Sequence, residues 1–139
     1  MCALVYVCLS PEGPLAQLQQ TEPTRFVLIV EDTTSQQYKV AVARALVRGN
    51  CLYFMAWGSE CEAWHDAVDS ANCEVFEFEP IPDEHFIATT WHGDEPLSDV
   101  FWFAKNNAFH PSVDLTRTML LHVSHVPQER KLLAEYVAA

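Results

Sequence analysis

Apolar residues in this chain fall into short unbroken runs separated by amphipathic segments, an alternation that predicts strands interleaved with helices. Ala3 to Leu9 (ALVYVCL) reads as a first strand. Ser10 to Thr24, with three Pro and one Gly, reads as a connection. Phe26 to Glu31 (FVLIVE) is a continuous run rich in β-branched residues, the pattern of a strand buried on both faces. A helix is expected to follow. Thr34 and Gln37 match a capping box, in which the hydroxyl accepts from the amide three residues on and the Gln side chain reaches back. Val40, Ala43, Leu46 and Val47 form its buried stripe, and Gly49 supplies a stop. Cys51 to Trp57 (CLYFMAW) is the next buried strand. The signals then repeat, with Ser59 and Glu62 as a second capping box and Cys61, Trp64, Val68 and Ala71 at helical spacing.

Glu74 to Glu79 (EVFEFE) alternates, which predicts a half-exposed edge strand. Phe86 to Thr90 is a short strand that leads into a polar turn. Asp94-Glu95-Pro96 reads as a helix start, with Pro at the first helical position and Asp99 near the positive end of the dipole. Leu97, Val100, Phe101, Ala104 and Ala108 give that helix a narrow apolar stripe. Thr118 to Ser124 is a last strand, and Pro127 opens a last helix docked by Leu132, Leu133, Tyr136 and Val137. The expected fold is α/β: a single three-layer domain over residues 1–139 with helices on both faces of a mostly parallel sheet of about five to six strands. It is Rossmann-like or flavodoxin-like, without a nucleotide-binding motif.

Charge narrows the partners. Nineteen acidic residues against eight Lys and Arg give a net charge of −11, which opposes binding to nucleic acid or an anionic membrane, because both need clustered bases. The opening MCALVYVCL lacks a basic flank and is shorter than a membrane span, so a strand is expected there and neither a leader nor an anchor. Five Cys without a C-x-x-C pair point to reduced thiols and a cytoplasmic setting.

Open α/β sheets bind ligands beyond the carboxyl ends of their strands. That edge is expected to collect Glu31 and Asp32, then Ser59, then Trp91, His92 and Asp94, and finally His125, which together form the candidate crevice. The run FVLIVEDT resembles the first strand and acidic pair of response-regulator receiver domains, in which Glu31 and Asp32 would help to hold magnesium. The match ends there: Met55-Ala56-Trp57-Gly58 offers no phospho-accepting Asp, and Ser124-His125 offers no Lys. Phosphate-cradling glycine motifs and the G-x-S-x-G elbow are missing too. His92, Asp94 and Glu95 have the donor types for a divalent metal, with His110 or His125 if folded near, but helix initiation accounts for the acids. His65 fits a solvated face near Glu62 and Asp69, and Cys61 a packed thiol. His122 fits a hydrogen-bonded strand histidine. No catalytic residue, metal or cofactor is assigned.

Trp102 points away from the apolar stripe of its helix, with Asn106 near it and Phe103 at the margin. Exposed Trp is enriched in interface cores, so these three residues are the candidate interface; the plainer account is that Trp102 lies under the loop Asn107 to Leu115 or against the N-terminal strand. The run TTWHGDEPLSDVFWFAKNNAFHP, with TRTMLLHVS after it, resembles an uncharacterised family of small bacterial α/β domains over most of the chain after Thr24. The resemblance implies a bacterial cytoplasmic origin and carries no activity. The expected function is a non-catalytic, acidic protein-binding module of adaptor, immunity or regulatory type, with a protein partner or self-association. The alternative is a small metal-assisted hydrolase or a nucleotide- or small-molecule-binding protein that uses the strand-end crevice.

Overall fold

A computed structural model describes residues 3–139. Five strands form one all-parallel sheet: β1 (Ala3–Leu9), β2 (Thr24–Val30), β3 (Cys51–Gly58), β4 (Ala88–His92) and β5 (Arg117–Val123), in the order β1-β5-β2-β3-β4. Four helices connect or follow them: α1 (Gln36–Arg48), α2 (Cys61–Val75), α3 (Leu97–Asn106) and α4 (Glu129–Ala138). Alternate residues of a strand face opposite sides. Phe26, Leu28 and Val30 of β2 accordingly enter a core with Val42, Ala43 and Leu46 of α1 and Trp64 and Val68 of α2. Val27 and Ile29 enter a second core with Val100, Phe101 and Ala104 of α3 and Leu132 and Tyr136 of α4. The expected three layers are present, and the fold is of the Rossmann or flavodoxin kind.

Local signals placed the helices better than their ends. Ser35, not Thr34, caps α1 by accepting Tyr38 N–H, and Glu12 from the preceding connection accepts both Ser35 N–H and its hydroxyl. This contact, 23 residues away in sequence, holds the Glu12 carboxyl below its usual range. Val40 and Val47 are only partly buried; Tyr38, Lys39, Val42 and Ala45 join Ala43 and Leu46 on the covered face. Glu60 precedes α2 in the left-handed region, so the Ser59 capping box does not form. Its carboxylate instead meets Lys39, whose fully buried ammonium also donates to Thr34 O and stands 5.6 Å from the Trp64 ring centre.

The edge strand expected over Glu74–Glu79 is absent; α2 continues to Val75 and the chain then turns. Arg44 grips Glu74 through two hydrogen bonds, holding it on the helix, and Phe78 N–H closes back on Cys73 O with Glu77 and Phe78 at positive φ. Pro96 caps α3 and is not its first residue, and Pro127 lies outside α4, before the cap Gln128. Val137 is exposed and does not dock α4. Gly49 ends α1 without a positive φ; it is needed because a Cβ there would lie 2.6 Å from Leu18 O.

Candidate functional site

The sheet changes direction between β2 and β5: β3 and β4 extend to one side of β2, and β5 and β1 to the other. Such a switch point is where an open α/β sheet forms its crevice. Glu31 and Asp32 leave β2 here, and Ser124 and His125 leave β5. Their polar atoms satisfy one another. Glu31 and Asp32 N–H both donate to Val123 O, Asp32 accepts His125 N–H at 2.8 Å, and Ser124 Oγ stands 3.4 Å from Glu31 Oε2 while accepting Val126 N–H.

Beneath the Glu31 carboxylate lies a partly buried relay. Gln128 N–H donates to Tyr6 OH at 2.9 Å, and this hydroxyl is 2.6 Å from Nδ1 of the fully buried His122. Tyr6 donates to Nδ1 in the tautomer that carries the imidazole proton on Nε2. That nitrogen faces Glu31 Oε1 at 3.3 Å without a well-aligned hydrogen bond. His122 is thus more deeply buried than a half-covered strand histidine.

Desolvation is the largest influence on Tyr6, outweighing the Gln128 hydrogen bond and pushing its pKa up to about 12. The folded value lies above the ordinary one near 10, so folding favours the neutral phenol. Its stabilising contribution is complete below about pH 10 and is lost as the pH rises through about 12. A tyrosinate absorbance titration should contain a component near 12 that Tyr6→Phe removes. If Tyr6→Phe left the titration curve unchanged, the assignment would be wrong.

β3 stands between β2 and β4, so Trp91 and His92 are separated from Glu31, Asp32 and His125. The seven crevice candidates form two groups. Trp91 and His92 also lie inside β4 and not beyond it. His92 Nδ1 bonds Glu95, Nε2 meets Thr90 Oγ1 at 2.8 Å, and the ring packs edge-on against Phe103. Both ring nitrogens are therefore engaged. Asp94 is exposed, and no side chain caps α3. Ser59 contributes its backbone N–H to Val30 O. Among the described residues no cluster of three His, Cys, Asp or Glu has the spacing to hold a metal.

Trp91 faces the other side of the sheet and packs against His65 with the rings tilted, ring centres 4.7 Å apart. His65, expected on a solvated face, is largely covered and lies between Asp66 and Asp69. It also lines a cavity of about 610 Å³ beside α2 and β4, together with Asp69, Cys73, Phe78, Ile81 and Phe86. Phe78 is 76 % exposed, and Phe86 and Trp91 about half. Asn72 holds the segment that forms this groove by donating to His85 O and accepting Ile87 N–H. Reading Glu74–Glu79 as a strand hid this groove. A signal for it exists in the charges: twelve of the 19 acidic residues, and none of the eight Lys and Arg, lie between Gly49 and Ala104.

On the opposite face Trp102 is 53 % exposed and not covered by the following loop. Its two candidate neighbours are occupied within the chain: Phe103 packs on Tyr53 and His92, and Asn106 donates to Trp102 O. Among the described residues no helix is long and apolar enough to cross a membrane.

The model of a domain of unknown function, DUF7684, matches residues 4–139. No curated protein and no solved structure matches the chain.

Proposed function

Because the chain belongs to the DUF7684 family, a domain of unknown function, we propose a role from its surface: a non-catalytic module that binds an extended, basic and apolar segment of another protein along β4. The observation that carries this reading is one juxtaposition. An uncharged strand ends the sheet beside an apolar groove, in a stretch of chain with twelve acids and no Lys or Arg. An edge strand offers backbone groups to a peptide that adds to the sheet, and pockets for alternate side chains select its sequence. Phe78, Phe86 and Trp91 offer the apolar contacts; Asp66 and Asp69, beside His65, favour Lys or Arg in the partner. The strand-end crevice supports the alternative less well, because its carboxylates are bonded to neighbouring backbone and hydroxyl groups.

The test is selection of peptides from a random display library on the full chain. Enriched peptides should alternate apolar residues with Lys or Arg and should bind more weakly as salt rises. Trp91→Ala should weaken a selected peptide about thirtyfold, the equivalent of roughly 2 kcal/mol for a central aromatic anchor. Amide shift changes should concentrate in α2 and β4. Enrichment without basic residues, or shifts centred on Trp102, would overturn the proposal.

A further inference from the structure

The far edge of the sheet has a different character. β1 pairs with β5 alone among the described residues, and its seven residues, ALVYVCL, include no charge, Pro or Gly. Edge strands of this length ordinarily carry such devices to prevent association. Ala3 N–H donates to Thr116 O and Leu9 O accepts Ser124 N–H, so the odd-numbered residues turn their backbone groups toward β5. In a parallel pair the intervening residues turn theirs away. Leu4, Tyr6 and Cys8 therefore present N–H and C=O groups outward.

We infer that β1 is a homodimer interface, with two copies pairing antiparallel about Tyr6 to make one continuous ten-stranded sheet. Five strands from each copy give that count. In this register Leu4 lies opposite Cys8 of the partner subunit, Tyr6 opposite its own mate, and Val5 opposite Val7 of the partner subunit. The arrangement is isologous and closes after two copies, as a twofold axis requires. It satisfies the outward backbone groups and covers the partly buried Val5 and Val7, which pack on one core, together with Leu4 and Tyr6 on the other.

Charge selects a second copy as the occupant. At −11, two copies repel each other at most orientations. The segment from Gly49 to Ala104 holds twelve acids and no Lys or Arg, whereas the remainder of the chain holds seven acids and eight bases. That remainder supplies β1, β5, β2, α1 and α4. Pairing through β1 brings the nearly neutral halves together and sends the acidic halves to opposite ends. α4, which packs beside β1, carries Glu129, Arg130 and Lys131 early and Glu135 late, a net positive start and a negative end, so an antiparallel mate sets unlike charges toward each other. The two β4 grooves then point outward, giving a bivalent binder.

Sedimentation equilibrium of the full chain should show twice the 15.8 kDa mass of one copy at micromolar concentration. Two double variants separate pairing from folding. Val5→Lys with Val7→Lys places like charges opposite each other and should give a folded monomer; Val5→Lys with Val7→Glu removes the same apolar contacts but places unlike charges opposite and should restore the dimer. Directly opposed residues of an antiparallel pair lie within disulfide reach, with Cα atoms about 5.5 Å apart. Oxidised Leu4→Cys should therefore cross-link to Cys8 of the partner subunit and lose the link when Cys8→Ser is added. The cross-link decides the matter if the charged variants fail to fold. A wild-type monomer at all concentrations, a dimer indifferent to the sign of the charges, or no Cys8-dependent cross-link would overturn the inference.

Discussion

Gly58→Ala is expected to lower the unfolding free energy by roughly 3 to 5 kcal/mol, a large part of the ~5 to 15 kcal/mol that holds a protein of this size together. Gly58 ends β3 with φ +98°, which side-chain-bearing residues rarely adopt. A Cβ there would lie 2.3 Å from Val30 O, 3.1 Å from Val30 C and 3.2 Å from Val30 N. All three are backbone atoms of a fully paired strand, so no rotamer change relieves the clash. Backbone strain of about 1 to 3 kcal/mol and overpacking of similar size combine. Val30 immediately precedes Glu31, and Ser59 N–H donates to Val30 O, so the damage falls on the switch point. Gly93→Ala is the control, because its Cβ would meet only Cys61 Sγ, at 3.9 Å. Urea denaturation of both variants checks the result. Equal midpoints would remove the claim that Gly58 is sterically required.

His122→Phe is expected to cost about 2 to 3 kcal/mol, the penalty for leaving a buried hydrogen-bonding group without its partner. The ring is replaced by one of similar shape, so the main loss is the hydrogen-bond partner of Tyr6 OH at 2.6 Å and the ring nitrogen facing Glu31 at 3.3 Å. Tyr6→Phe removes the other end of the same bond. The double variant should therefore be less unstable than the sum of the two single changes, by about 1 to 2 kcal/mol. Additivity within about 0.3 kcal/mol would show that hydroxyl and imidazole do not interact. Peptide binding at β4 should persist in the folded His122→Phe protein, because β2 and β3 separate the relay from the groove.

Most of the fold was legible before the tertiary structure. Four of the strands announced themselves as apolar runs, whereas β4 (ATTWH) is largely polar and begins two residues after the Phe86 expected to open it. Phe26 to Val30 carries the reason for such runs in its own residues: Phe26, Leu28 and Val30 enter one core while Val27 and Ile29 enter the other. Such a strand has no polar face, so the sequence loses its alternation and becomes conspicuous. The stripe of Val100, Phe101 and Ala104 on α3 was equally clear, because one side of a helix must remain polar, whereas Ala108 is buried beyond the end of the helix.

The candidate site was legible only as a set of residue types. Glu31, Asp32 and His125 converge, but Trp91 and His92 lie across β3 from them, because local patterning does not encode strand order. Order depends on which helix crosses which face, a long-range matter of packing. The segment EVFEFE shows the same limit in a smaller space. Its alternation suits a strand, yet Glu74 and Val75 complete α2, with Glu74 paired to Arg44, and the positive-φ turn at Glu77 and Phe78 makes the rest the wall of a groove.

By itself, then, the sequence determined the element types outside Glu74–Glu79, the two-sided core and the separation of an acidic half from a nearly neutral one, because hydrophobicity and charge are properties of each residue and its immediate neighbours. Tertiary structure alone decided which strands became edges, that Trp91 packs on His65 while His92 is consumed by Glu95 and Thr90, and that His122 sits beneath Glu31. Those outcomes depend on contacts between residues far apart in the chain. Tyr6 and His122, 116 positions apart, meet only once β1 and β5 lie side by side.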